Sequence, residues 1–175
     1  MLFSSVAVTA SLFACISAVP TQIIQRGAEI QAADALLEAR AVTVTCTPTS
    51  NQSKTKNFIV DVAYAKGQVS KAAFKTGKSG DPHAYNGGDN IIWGVKECDV
   101  KKAPLWEYPV FWQGTKGKSG QLEWEKDVKT DKQKMKTPIR VVYVNQNGGA
   151  KYCGIMTHSE VTADFQGQKF FQHCT

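Results

Sequence analysis

Histidine is scarce in this chain of 175 residues, with three in all, and the five cysteines include no Cys-x-x-Cys pair. The ligand spacing of tetrahedral zinc sites is therefore missing, and no metal or other cofactor is expected. No apolar run reaches the roughly 20 residues that a membrane-spanning helix needs. The sequence has no internal repeat, which sets aside solenoids and propellers. Acidic residues are in deficit: 15 Asp and Glu face 21 Lys and Arg, a formal charge of +6. A basic balance favours a polyanionic partner. With 42% hydrophobic and 21% charged residues the composition is that of an ordinary globular protein, long enough for one domain and its leader segments.

Residues 1–18 read as a secretory signal peptide. Positions 6–18 are almost all apolar or small, and Ser17 and Ala18 offer a small-residue cleavage site. The segment carries no Lys or Arg before its apolar run. Residues 19–40 hold no aromatic side chain and end at Arg40, which suits a pro-segment removed before residue 41. The mature domain would then be 41–175, extracellular and monomeric. Losing Arg26, Arg40, Glu29, Asp34 and Glu38 leaves 19 basic and 12 acidic residues.

Cys15 departs with the leader, and Cys46, Cys98, Cys153 and Cys174 remain. Four cysteines in a small secreted domain suggest two disulfides, for which three connectivities are open. Asn51-Gln52-Ser53 is an N-glycosylation sequon and predicts a surface position.

Residues 42–46 alternate and are β-branched, which predicts a strand. Residues 58–75 carry Phe58, Val62, Ala65, Val69 and Ala72 on one stripe and Asp61, Tyr64, Gln68, Lys71 and Lys75 on the other, which predicts a helix. Gly67 sits inside it, and Gly77 and Gly80 end it. Strands are expected at 91–96, 105–112, 139–144, 152–158 and 168–173, with a hairpin turn at 145–149. One helix followed by antiparallel strands is an α+β plan, with the helix packed on one face of the sheet and the other face left for a site. Residues 114–136 stand apart, with seven lysines against four acids. They read as a solvated loop, or as an arm that follows a phosphate backbone.

Polar residues inside three of the strand runs draw attention: Glu107, Arg140 and His158. Alternate residues of a strand share a face, so neighbouring strands can bring all three together. His83 lies upstream of all three in a fourth short segment. Cleaving RNA by transphosphorylation needs a base for the 2′-hydroxyl, an acid for the departing 5′-oxygen and cations around phosphorus. A carboxylate and a histidine can supply the first two. Arginine offers a planar fork for phosphate oxygens.

Five motifs in order carry a resemblance: Asp81-Pro82-His83-Ala84-Tyr85-Asn86, Trp106-Glu107-Tyr108-Pro109, Ile139-Arg140-Val141-Val142-Tyr143, Gly154-Ile155-Met156-Thr157-His158 and Phe171-Gln172-His173-Cys174-Thr175. Over residues 42–175 the chain resembles the fungal guanyl-specific ribonucleases, whose superfamily includes the ribotoxins. The resemblance implies Glu107 as general base, His158 as general acid, His83 as its assistant to the base and Arg140 as the phosphate arginine. It implies that Phe171 lines the site, that Tyr85 stacks on guanine with Asn86 beside it, and that Asp89 pairs with the guanine edge. It also implies bridges between Cys46 and Cys174 and between Cys98 and Cys153, with no metal. Asp81 stands where the family usually has a tyrosine, and Lys169 where it has an asparagine. The expected function is a secreted endoribonuclease acting on RNA, with a non-cutting RNA-binding effector and a ribotoxin as rival readings.

Overall fold

The computed structural model describes residues 42–118 and 120–175. The expected signal peptide, 1–18, and pro-segment, 19–40, lie outside the described residues. The β-branched run near residue 43 forms strand β1 (Thr43–Cys46), followed by the short β2 (Ser50–Asn51) and by β3 (Phe58–Asp61). Helix α1 (Val62–Ala72) comes next, then β4 (His83–Tyr85) and β5 (Leu105–Pro109). A small hairpin, β6 (Lys116–Gly117) and β7 (Gly120–Gln121), precedes β8 (Ile139–Gln146), β9 (Gly149–Val161) and β10 (Gly167–His173). The main sheet runs β10-β9-β8-β5-β4, all antiparallel, with β2 added parallel to β9. β1 and β3 form a separate antiparallel ribbon. This is the α+β, disulfide-stabilised architecture expected, with bridges Cys46–Cys174 and Cys98–Cys153.

The helix is shorter than its periodicity suggests. Phe58 and Val60 are buried while Ile59 is exposed, a period of two, and these residues pair one for one with β1. Asp61 then caps the helix: its carboxylate accepts the Tyr64 N–H at 2.9 Å. Val62, Ala65, Val69 and Ala72 face the core as expected. Gln68, assigned to the outer stripe, is buried as well. The helix ends at Ala73, whose φ is 53°. Tyr143 donates to the Ala73 carbonyl and the Lys126 ammonium to the Ala72 carbonyl, at 2.5 and 3.0 Å. Unpaired carbonyls at a helix end favour a cation there.

A second correction concerns 91–96, which is not a strand. Trp93 is buried and its backbone N–H donates to the Asp99 carboxylate at 2.8 Å. The segment folds as a cap held by the Cys98–Cys153 bridge. Gly154 makes room for it: a Cβ there would stand 2.6 Å from the Trp93 ring. The 105–112 run also leaves the sheet early. After Pro109, residues Val110, Phe111 and Trp112 turn into the core.

The pleat divides the sheet into two faces. Tyr108, Ile139, Val141, Tyr143 and Ile155 join the helix residues in the larger core. Tyr85, Leu105, Val142, Val144 and Met156 form a smaller cluster under the cap, on the opposite face. Loop 114–136 packs against the helix side, with Leu122 and Trp124 buried. Tyr64 and Tyr108 donate their hydroxyls to the Leu122 and Trp124 carbonyls at 2.7 and 2.8 Å. Among the described residues no helix is long and apolar enough to cross a membrane. In the sequon, the Asn51 amide is half-buried and donates to the Thr55 carbonyl at 2.7 Å.

Gly67 lies mid-helix on the exposed side, and an added Cβ would meet nothing within 4 Å. Gly67→Ala should therefore stabilise the domain by about 0.5–1 kcal/mol, through helix propensity alone. Urea denaturation of the two proteins checks this; a loss of stability would contradict it.

Candidate active site

Register decides which polar side chains meet. His83 pairs with Glu107, and Glu107 with Val142, across β4, β5 and β8. Arg140 lies two residues before Val142 on β8 and pairs with Met156 of β9, two residues before His158. His158 pairs with Phe171 of β10. Steps of two preserve the face, so His83, Glu107, Arg140, His158 and Phe171 all project from the side away from the helix. This is the shared face that neighbouring strands make possible.

The centre of the site is a chain of charges. His83 Nε2 lies 2.9 Å from Glu107, and His83 Nδ1 lies 3.1 Å from Asp81. Both carboxylates are buried, with Asp81 6% and Glu107 5% exposed. The His83 ring is half-exposed between them. Hydrogen bonds that the His83 ring donates to Asp81 first, then to Glu107, push its pKa up to about 10. It is a cation throughout the neutral range. An acid at 81 is expected to repel phosphate and to raise the pKa of His83 or Glu107; the fold sets it against His83, where it holds the imidazolium.

Arg140 flanks Glu107, with Nε 3.8 Å from the carboxylate. Its Nη1 donates to the Thr137 and Ile139 carbonyls, at 2.8 and 3.0 Å, which fixes the plane of the guanidinium. Burial pulls its pKa down from the usual arginine range, against the opposing pull of Glu107 and Asp81. The buried Nε has no hydrogen-bond partner in the protein. It is a buried donor beside the Glu107 carboxylate, which lies beyond hydrogen-bond range.

His158 is placed by features with no motif. Its Nδ1 lies 3.1 Å from the Lys169 carbonyl, so that nitrogen carries the proton and Nε2 faces the site. The Lys169 carbonyl can reach it because β10 breaks register between Gln168 and Phe171, and Lys169 adopts a φ of 64°. Phe171 covers the ring, with centroids 4.0 Å apart. Gly167 touches it from the other side: a Cβ there would stand 2.6 Å from the ring's Cγ. Burial, and then the charge of Arg140, pull the His158 pKa below its ordinary value.

Tyr85 and Asn86 line a cleft of about 410 Å³ together with Asn90, Trp93 and Asp99. The Tyr85 ring is buried, set edge-on to Phe171 and Trp93, and its hydroxyl donates to Asp89 at 3.0 Å. Asp89 is thus oriented by Tyr85. Sequence reading did not find the parts played by Gly167 or by the Lys169 carbonyl. A glycine between two glutamines and a backbone oxygen carry no chemical signature.

The comparisons fall into line with this geometry. The solution structure of hirsutellin A from Hirsutella thompsonii is 51% identical in sequence; the match covers 76% of this chain and 98% of that one, with a TM-score of 0.63. The crystal structure of restrictocin, described as a highly specific Aspergillus ribotoxin, is 22% identical, covers 77% of this chain and 99% of that one, and has a TM-score of 0.56. No curated protein matches. Residues 43–175 match the model of a family described as ribonuclease, and across that whole folded region the chain belongs to the ribonuclease family.

Proposed function

We propose that the protein is a secreted endoribonuclease that cleaves RNA by transphosphorylation, using Glu107 as base and His158 as acid, and that it prefers guanosine on the 5′ side of the cut. The observation that carries this is the His83 bracket. An imidazole with a pKa of about 10 keeps its proton at neutral pH, so it cannot serve as the base. The carboxylate it touches can. Glu107 takes the proton of the 2′-hydroxyl, and the 2′-oxygen attacks phosphorus. The bond to the 5′-oxygen breaks, and that oxygen receives a proton from Nε2 of doubly protonated His158, a form that the lowered pKa confines to the acidic side of the ordinary histidine range. The products are a 2′,3′-cyclic phosphate and a free 5′-hydroxyl. His83 and Arg140 are the cations beside the extra negative charge. Asp89, oriented by Tyr85, supports pairing with the guanine edge, and the cleft beside Tyr85 and Asn86 supports a base-sized subsite. Two disulfides suit an oxidising, extracellular setting.

A second reading has its own observation. Asp81 and Glu107 balance His83 and Arg140, so this quartet carries no net charge to attract a phosphate. A short RNA then gains little from the site itself. A large, structured RNA can gain from the rest of a mature domain with 19 basic residues. That favours restricted action on one ribosomal RNA site, as a ribotoxin acts. Comparing cleavage of guanylyl dinucleotides with cleavage of intact ribosomes separates the two readings.

The role assignment predicts that Glu107→Gln and His158→Gln each lower the cleavage rate by about 10²–10⁴, with chelator present throughout. Cleavage of guanylyl, adenylyl and cytidylyl dinucleotides is the assay; retained turnover in either variant would sink the assignment.

His83 should titrate near pH 10 by NMR, and Asp81→Asn should bring that midpoint down. The folded pKa lies above the unfolded value of about 6.5. The bracket's contribution to stability is therefore complete below about pH 6.5 and lost as pH rises through about 10. Denaturation midpoints that fall across this window in the wild type, but not in His83→Asn, would agree.

Gly167→Ala should displace the His158 ring. We expect a folded protein with kcat reduced about tenfold or more, the factor that roughly 1.4 kcal/mol of lost transition-state stabilisation produces. Circular dichroism and dinucleotide kinetics together test this; unchanged kcat would show that the ring has another place to go.

A further inference from the structure

The lysine-rich loop 114–136 is poorly described as a free cationic arm. Lys126 holds the helix end, Lys134 pairs with Glu125 at 3.3 Å, and Lys136 pairs with Asp164 at 2.7 Å. Three of the loop's seven lysines thus have partners within the fold. What the loop does hold is the turn that precedes β4. The Lys126 carbonyl accepts the Ser79 N–H at 2.8 Å, and the Thr130 hydroxyl donates to the Ser79 carbonyl at 2.7 Å. Gly77 packs so tightly on the loop that a Cβ would stand 2.8 Å from the Lys126 carbonyl carbon.

The same turn grips Asp81 from both sides. The Asp81 N–H donates to the Ser79 hydroxyl at 3.1 Å, and the Asp81 carbonyl accepts the Gly77 N–H at 2.8 Å. Thr76 donates its hydroxyl to the Pro82 carbonyl at 2.7 Å. The path from loop to site is therefore continuous: Thr130, Ser79, Asp81, His83, Glu107. Each link is a hydrogen bond or ion contact of ordinary length.

We propose that loop 114–136 is a brace for the active site, and that Thr130 and Ser79 are positioning residues that set the carboxylate of Asp81 against His83. The proposal rests on the reading of His83 and Glu107 given above. Thr130 is exposed and Ser79 half-buried, so trimming either hydroxyl leaves the core intact. The groups facing His83 are Asp81 and Glu107, with Arg140 behind Glu107. A slack turn should loosen the first of these and leave the other two in place.

The experiment follows the His83 imidazole by NMR titration in the wild type, Thr130→Val, Ser79→Ala and Thr130→Ser, and measures RNA cleavage alongside. In Thr130→Val and Ser79→Ala the His83 midpoint should fall by about half a pH unit or more, the scale of one weakened hydrogen bond to a charged group. Their kcat should fall several-fold with KM little changed. Thr130→Ser keeps the hydroxyl and should restore both. An unmoved midpoint in Thr130→Val and Ser79→Ala would overturn the brace. A shift in Ser79→Ala alone would overturn the loop's part in it. Shifted midpoints in a protein whose wild type does not cut RNA would leave the brace standing and remove the catalytic reading instead.

Discussion

Two carboxylates, Asp81 and Glu107, are buried on one face of the sheet and reach the same imidazole. Buried acids of like charge cannot both ionise side by side without cations to offset them. His83 sits between them and Arg140 closes the far side. The arrangement is mutual: the acids keep the imidazole charged, and the imidazolium keeps the acids tolerable. The catalytic reading depends on it, because it turns His83 from a titrating group into a fixed cation. It also gives Asp81 a purpose that a phosphate site alone would not suggest.

That bracket exists only because the sheet brings its members together. β4, β5, β8 and β9 are adjacent and in a register that keeps the polar residues in phase. A slip of one residue in any pair would send one member into the helix-side core. That core, with Tyr108, Ile139, Val141, Tyr143 and Ile155, makes such a slip costly. Packing on one face thus sets the chemistry on the other. At the opposite end of the site the register is deliberately broken. The irregularity in β10 lets a lysine carbonyl, rather than a side chain, orient His158.

The two ends of the described domain are tied by the same logic. Thr45 and Thr175 exchange backbone hydrogen bonds at 2.6 and 3.1 Å, beside the Cys46–Cys174 bridge. The bridge closes a separation of 128 residues. Cross-linking so long a loop restricts the unfolded chain. The second bridge holds the Trp93 cap over Gly154, on the site's face of the sheet. Long connections in this domain are accordingly packed structures, not slack.

The sequence by itself determined the fold class, most strands and the identity of the charged and aromatic residues that meet in the site. Period-two alternation and ordered short motifs are local properties, legible without coordinates. It misjudged residues 58–61, where a helical stripe and a strand pattern overlap and pairing with β1 decided for the strand. It misjudged 91–96 because a β-rich run becomes a strand only if a partner edge is available, and this one is drawn into a cap by Cys98 and Trp93. Only the tertiary structure decided that Asp81 supports His83, that Gly167 shapes the seat of His158, and that Lys126 of loop 114–136 holds the end of the helix. Those outcomes depend on distances between residues far apart in the chain, and no local pattern of side chains encodes them.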